Sequence, residues 1–134
     1  ASNFVFHGAV DRGGKLEFLR SLDVLSVPAT YDEPKGLPLL EAMATGVPVV
    51  QPRRGAFTEI VEKTGGGLLV EPDDAESLAD GLFALWRDRA LRDELGRRGH
   101  EAVWDHYTIQ RSAHRLLEVY DEVAGRRKHR ESVA

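Results

Sequence analysis

A glycine between two glutamates is the group of residues in this sequence whose types and spacing point most clearly to chemistry. Glu33 lies in a loop, Gly36 comes where a helix is expected to begin, and Glu41 lies within that helix. The first turn of a helix carries unpaired backbone N–H groups and the positive end of the helix dipole, so a phosphate docks there readily. Glycine permits a close approach to the backbone, and Pro38 has no N–H to lose. The pattern predicts an anion cradle whose donors are the amides of Leu37, Leu39 and Leu40.

The two carboxylates suit the two ends of a sugar nucleotide. Glu41 is the only charged residue between Leu37 and Val50, and an unpaired carboxylate in apolar surroundings costs several kcal/mol. A vicinal diol would satisfy it, because one carboxylate accepts from two hydroxyls. Glu41 lies roughly 6 Å beyond the cradle at about 1.5 Å per residue, where the ribose of a bound nucleotide would lie. Glu33, on the other side, would reach the sugar on the distal phosphate, so the spacing predicts a nucleotide-sugar site.

Each of these residues also has an explanation that involves no ligand. Glu41 is also explained as an acid favoured by the helix dipole, or as the partner of Arg53 or Arg54 at the next strand end. Glu33 is equally compatible with a solvated loop acid. Two glutamates eight residues apart are a weak signal by themselves, so the residues alone leave these alternatives open.

The segment that contains the two glutamates, residues 28–50, resembles the signature of the group 1 glycosyltransferases, which form family 4 of the carbohydrate-enzyme classification. That signature reads Pro-Ser-x-x-Glu-x-Phe-Gly-Leu-x-x-x-Glu-Ala-x-Ala-x-Gly-x-Pro-Val-Val. The positions that match it are Glu33, Gly36, Leu37, Glu41, Ala42, Ala44, Gly46, Pro48, Val49 and Val50. The resemblance continues through residues 55–61, residues 67–70 and Pro72, so it covers almost the whole chain.

The resemblance implies a GT-B fold, in which two Rossmann-like domains face each other and the C-terminal one binds most of the donor. This chain would be that C-terminal half, truncated at its N-terminus. Glu33 would contact the donor sugar as the catalytic residue, Glu41 would bind the ribose diol, and the amides of Gly36 and Leu37 would hold the diphosphate. The implied reaction is hexosyl transfer from a nucleotide-diphosphate sugar with retention at the anomeric carbon. No metal or other cofactor is expected, because helix dipoles and basic side chains stabilise the departing diphosphate.

Two departures from the family pattern affect the expected activity. Lys35 stands where the family usually has an apolar residue, and it is either a diphosphate contact or simply exposed. The family's basic pair, a Gly-Arg followed by a Lys-Gly, and its acceptor-binding N-terminal domain are missing from this chain, so the chain by itself is expected to be inactive. A noncatalytic GT-B-like scaffold and a nucleotide-sugar 2-epimerase are the alternative functions.

The elements that must position these residues alternate between strands and helices. Apolar runs predict strands at residues 4–8, 23–27, 47–50 and 68–70, and helical spacing predicts helices at 15–22, 37–45, 57–62, from Asp74 onwards, 90–106 and 108–124. Strands that are apolar throughout indicate a parallel α/β sheet with flanking helices, Rossmann-like and with a helical C-terminus. Ligands lie beyond the carboxyl ends of such strands. We assign to that edge the loops after Val27 and Val50 and the glycines before Leu68.

Within the helices, apolar positions are expected to be buried. Leu78, Leu82, Leu85 and Trp86 form the expected buried stripe of the helix after Asp74, and Trp104 is likewise expected to pack between helices rather than to stack on a base. The chain divides into a nucleotide-sugar-binding domain at residues 1–124 and a basic tail at residues 125–134.

The composition of the chain excludes several classes of binding partner and of chemistry. A formal charge of −4 argues against a nucleic-acid-binding module. The absence of cysteine excludes disulfides, Cys-ligated zinc and thiol catalysis. Neither a run of about 18 apolar residues nor a leader is present, so a cytoplasmic location is expected. The basic residues 126–130 are either solvated or held at the anionic inner face of a membrane. Without an acceptor domain, the apolar stripe of the last helix would be exposed, so a dimer is expected.

Overall fold

The computed structural model of the protein describes the backbone of residues 3–132 and the side chains of residues 3–125. It has a mixed α/β architecture in which helices outnumber strands. The elements in chain order are α1 (Arg12–Ser21), α2 (Leu37–Ala44), β1 (Val49–Pro52), α3 (Gly55–Thr64), β2 (Gly67–Val70), α4 (Ala75–Arg87), α5 (Arg89–His106) and α6 (Ile109–Ser132).

The sheet is parallel, as the apolar strands predict. Strands β1 and β2 pair with Val49 opposite Gly67 and Pro52 opposite Val70. On the other side of β1, Leu25 forms an isolated parallel bridge to Val49, and the Val50 N–H donates to the Leu25 carbonyl over 3.0 Å. β1 is therefore the central strand, flanked by β2 and by the short extended segment around Leu25.

Two predicted strands differ from the structure. The segment 23–27 is reduced to the single bridge at Leu25, and residues 4–8 form no strand within the described range. Phe4, Val5 and Phe6 are 72%, 72% and 83% exposed. A strand is stabilised by the neighbour with which it pairs, so an apolar run without a neighbouring strand does not become one.

The core lies on both faces of the sheet. Because successive strand residues point to opposite faces, Val49 packs with Leu39, Met43 and Phe57 on the side of α2 and α3. On the other face, the second cluster consists of Val50, Val70, Leu85 and Leu95, and it packs against α4 and α5. Helices thus cover both faces of a parallel sheet, which confirms the predicted Rossmann-like class.

The predicted helix boundaries hold well, but some predicted buried positions are wrong. Asp74 caps α4, and its Oδ1 accepts the Ser77 N–H over 2.9 Å. Leu85 is fully buried as expected, whereas Leu82 and Trp86 are exposed, and Trp86 stacks on Phe83 at the surface. The predicted stripe is wider than the strip of α4 that the sheet and α5 cover.

Helix α6 is longer than predicted. It continues past residue 124 to Ser132, through the segment interpreted as a basic tail. The side chains of residues 126–130 lie outside those described, so their contact with solvent or lipid stays a prediction. Among the helices that the structure describes, none is both long enough and apolar enough to cross a lipid bilayer.

Candidate functional site

The loop that precedes α2 folds back so that the Glu33 carboxylate lies at the start of that helix. Its Oε1 accepts the N–H of Lys35 over 3.1 Å and the N–H of Gly36 over 3.2 Å. Gly36 is the N-cap residue, with a φ of +67°. The backbone conformation favours glycine, and a Cβ at Gly36 would also lie 2.4 Å from Ile60 Cδ1, so the Ile60 side chain would have to shift. An internal carboxylate thus occupies the amides of Lys35 and Gly36, and anion binding at this helix start stays a prediction.

Only one of the three predicted leucine donors is open. The N–H groups of Leu39 and Leu40 both donate to the Gly36 carbonyl, over 3.1 and 3.3 Å. They are used inside the helix, which corrects the prediction. The Leu37 N–H has no acceptor in the part of the chain that the structure describes, and the Leu37 side chain is exposed. The N-terminus of α2 therefore offers the Leu37 amide directly and the Gly36 amide once Glu33 moves.

Glu41 lies at the surface of α2, in an ion pair with α1. The Lys15 ammonium donates to Glu41 Oε1 over 2.7 Å, and the two side chains are 46% and 42% exposed. The expectation of an acid enclosed by apolar side chains is therefore wrong. The alternative pairing with Arg53 or Arg54 is wrong as well, because these arginines pair with Glu62 and Asp73.

Open clefts flank the Glu41 side chain. One of about 660 Å³ lies between α1 and α2, and its walls include Val10, Asp11, Lys15, Glu41 and Trp104. Another of about 400 Å³ lies between α2 and the α5–α6 junction and shares Glu41 and Trp104. Small-molecule sites typically occupy 300–1,000 Å³. Glu41 therefore lies in the wall between two clefts, and the volumes of both fall within this range.

Two residues of this cleft were not identified from the sequence. Lys15 is 26 positions away from Glu41, and no local pattern links them. Trp104 was expected to pack between helices, yet it is 59% exposed, and its Nε1 donates to the Ala44 carbonyl over 3.4 Å at the cleft. The indole is therefore part of the cleft wall.

Two of the three segments assigned to the ligand edge lie together in the structure. The loops after Val27 and Val50 meet, because the Ala56 N–H donates to the Glu33 carbonyl over 2.8 Å. The glycines before Leu68 lie at the opposite edge, where Gly66 O accepts the Val49 N–H over 3.1 Å. They precede β2, so they lie at its amino end and do not contribute to the site.

Basic residues around the edge have different environments. Lys35 is exposed, and its backbone N–H is held by Glu33. Arg53 lies at the surface with Glu62, whereas Arg54 contacts Thr30 and Asp73. Over the described residues, no three or more His, Cys, Asp or Glu side chains come together in a way that would hold a metal ion.

Comparisons with known proteins agree with one another. The family model described as "Glycosyl transferases group 1" matches residues 1–102. The chain is 40% identical over 119 residues to a phosphatidyl-myo-inositol mannosyltransferase of Mycobacterium leprae, covering 89% of this chain and 32% of the relative. The chain thus spans about a third of the length of the curated relatives that it matches.

Solved structures show the same fold. Sucrose-phosphate synthase of Thermosynechococcus elongatus superposes with a TM-score of 0.81 at 31% identity, over 90% of this chain and 30% of that one. HepE of Anabaena, solved with UDP, gives a TM-score of 0.74 at 22% identity, over 79% and 29% of the two chains.

Proposed function

This chain belongs to the group 1 glycosyltransferases, and from that premise we propose that it is the donor-binding part of a retaining hexosyltransferase. The donor is a nucleotide-diphosphate sugar. The observation that carries the proposal is the position of Glu41, one helical turn beyond the open Leu37 amide and in the wall of a cleft of about 660 Å³. Along α2 the open amide of Leu37 comes first and the Glu41 carboxylate follows, and the cleft lies beside Glu41.

Glu41 serves the ribose in this proposal. Lys15 binds only Oε1 of the carboxylate, and each carboxylate oxygen has two lone pairs. Oε2 and the remaining capacity of Oε1 are therefore available to the two ribose hydroxyls. The ammonium of Lys15 keeps the carboxylate oriented while the diol binds. The nucleoside lies in the cleft beside Trp104, which contributes an exposed aromatic face.

In this proposal the Glu33 carboxylate and the diphosphate bind the Gly36 amide one after the other. In the structure, the Glu33 carboxylate occupies the amides of Lys35 and Gly36. A diphosphate that binds the amides of Gly36 and Leu37 displaces this carboxylate, which then reaches the hydroxyls of the donor hexose. The positive end of the α2 dipole stabilises the charge that develops on the departing diphosphate. The exposed Lys35 ammonium is close enough in sequence to assist.

The rest of the enzyme supplies the acceptor in this proposal. Because the chain spans about a third of its relatives, an acceptor-binding half and the family's basic pair lie outside it, and the chain alone is inactive. The mannosyltransferase named above acts, by its name, on phosphatidyl-myo-inositol. This supports peripheral membrane contact of the whole enzyme, which we propose to be cytoplasmic. The UDP and UDP-glucose bound to HepE support a nucleotide-sugar donor.

Calorimetric titration of the full-length protein tests the proposal. UDP, GDP, UDP-glucose and GDP-mannose serve as probes, and the variant is Glu41→Gln. Removing a charged hydrogen-bond acceptor costs about 1.5–3 kcal/mol, so affinity for the preferred nucleotide should fall ~10- to 100-fold. The matched control is Glu17→Gln on α1, because Glu17 does not line the cleft.

Two results would contradict the proposal. Equal affinity of the Glu41→Gln variant and the unchanged protein would remove Glu41 from the site. Absence of binding for all four probes in the unchanged protein would favour the alternative of a noncatalytic scaffold. Conversion of the donor to a 2-epimer without any acceptor would favour the epimerase.

A further inference from the structure

Three consecutive residues after β1 hold the loop that carries Glu33. Arg54 Nη1 donates to the Thr30 carbonyl over 3.1 Å. The Ala56 N–H donates to the Glu33 carbonyl over 2.8 Å. Between them, Gly55 has a φ of +46°, and a Cβ there would lie 2.6 Å from Glu33 O and 2.8 Å from Glu33 N. The loop backbone is therefore fixed at Thr30 by a side chain and at Glu33 by direct backbone contact.

Arg54 is itself held by a second contact, with the turn that follows the neighbouring strand β2. Its Nη2 forms an ion pair with Oδ2 of Asp73, in the turn that follows β2. Asp73 has a φ of +58° and is the one non-glycine residue with a positive φ in the described range. A single guanidinium thus links the loops that follow β1, β2 and the extended segment around Leu25, and only arginine has a planar fork that reaches two such acceptors at once.

The environment of Arg54 indicates that it does not bind phosphate. Both terminal nitrogens are already engaged by the protein, and the side chain is only 20% exposed. Its Nε is buried without a hydrogen-bond partner among the described atoms. Arg53, the adjacent residue, points instead to the exposed Glu62. Arg54 therefore makes its contacts within the protein, and through Thr30 it holds the loop that carries Glu33.

We propose that Arg54 is a positioning residue that fixes the backbone of residues 30–33, so that the Glu33 carboxylate reaches the Gly36 amide and, with donor bound, the donor sugar. The sugar part rests on the proposed function. The amide part concerns this chain alone. In the structure the carboxylate is 3.2 Å from the Gly36 nitrogen. A loop released at Thr30 would be held by the contact at Glu33 alone, and the bond to Gly36 would weaken, because hydrogen bonds weaken steeply with distance and angle.

The first experiment needs no nucleotide. In ¹⁵N NMR spectra of the 134-residue chain, the Gly36 and Lys35 amide signals report the Glu33 carboxylate, and Glu33→Ala, which removes the acceptor, gives the reference for its loss. Arg54→Met should move both signals towards that reference and speed their hydrogen exchange about tenfold or more. Arg53→Met, an adjacent substitution that removes the same charge, should leave them unchanged.

A milder variant keeps this experiment decisive if Arg54→Met does not fold. Asp73→Asn retains the contact of Arg54 with Thr30 but removes its charged anchor. It should change the same two amide signals in the same direction by a smaller amount. Unchanged Gly36 and Lys35 signals in a folded Arg54→Met protein, or in Asp73→Asn where only that variant folds, would overturn the proposal.

The second experiment separates positioning from general destabilisation. For the full-length protein, the affinity ratio between UDP-glucose and UDP, or between GDP-mannose and GDP, measures the contribution of the sugar. Arg54→Met should reduce this ratio to that of Glu33→Gln, and adding Glu33→Gln should reduce it no further. Additive losses would overturn the proposal. If the unchanged protein binds no nucleotide, the proposed function fails, while the amide measurement still decides the role of Arg54.

Discussion

Lys15 orients the one carboxylate that α2 contributes to the cleft between α1 and α2. It binds one oxygen of Glu41 over 2.7 Å, and both side chains are partly exposed. Such a pair contributes at most about 1 kcal/mol to stability, so its importance lies in binding. In the proposed complex, the ammonium beside the cleft would attract the nucleoside diphosphate and hold the carboxylate that accepts from the ribose.

We expect Lys15→Met to weaken nucleoside diphosphate binding several-fold while leaving the melting temperature nearly unchanged. The loss should be larger at low salt, because ions screen the attraction between exposed charges. Titration calorimetry of UDP and GDP at two salt concentrations checks this. Arg89→Met removes the same charge from a position that lines neither cleft, and it should have no effect. Unaltered affinity of Lys15→Met at low salt would refute the role.

The site residues on α2 and in the preceding loop are predictable from the sequence, because their spacing defines the helix start. The exposure of the Glu41 side chain is not predictable in this way. Its apolar neighbours Leu39, Ala42 and Met43 face the core, whereas Glu41 lies on another side of the same helix. Neighbours in sequence are not neighbours in space on a helix. Lys15 and Trp104 reach the site through the packing of whole helices, and no local signal identifies them.

At the scale of elements, α5 carries an exposed charge network over its central turns. The Arg97 guanidinium, followed by that of Arg98, donates hydrogen bonds that lower the pKa of Glu94 from 4.5 to about 2. Arg97 also binds Glu101 over 2.8 Å. The network lies on the solvent side of a helix whose other side packs through Leu95 and Val103.

The depressed pKa of Glu94 predicts the pH window in which this network stabilises the fold. A carboxylate with a lower pKa in the folded state contributes fully above its unfolded pKa of about 4.5, and it loses that contribution as the pH falls towards about 2. Glu94→Gln should therefore lower the melting temperature slightly at neutral pH, and the two curves should converge near pH 2. Thermal melts at several pH values measure this. Glu17→Gln, outside the network, is the control, and a constant difference at all pH values would contradict the assignment.

Helices are predicted more reliably than strands in this chain, for a physical reason. Helix ends are encoded locally, and the side chains of Asp74 and Asp88 accept the N–H groups of Ser77 and Leu91 at the starts of α4 and α5. Strands depend on partners elsewhere. Residues 49–52 and 67–70 pair with each other, whereas the apolar residues 4–6 form no strand and are exposed.

At the scale of the whole molecule, one side of α6 is an uncovered apolar surface. Its exposed residues are Ile109, Leu116, Leu117, Tyr120 and Val123, and at 100° per residue they form one continuous stripe. A stripe of this kind normally packs against another element, because exposed apolar patches are rarely extensive on monomers. In the proposed full-length enzyme the acceptor-binding half covers it.

We therefore expect the 134-residue chain to self-associate through α6. Sedimentation velocity over about a hundredfold range of concentration should show a monomer–dimer equilibrium, since dimer formation follows mass action. The double substitution Leu117→Gln and Tyr120→Gln should shift the equilibrium to monomer, because it removes apolar area worth about 25 cal/mol per Å². Glu118→Gln and Glu122→Gln, which lie on the opposite side of the same helix, should leave association unchanged. A chain that stays monomeric at the highest concentration would show that the stripe does not drive association. Association that both double substitutions abolish equally would place the contact elsewhere on α6.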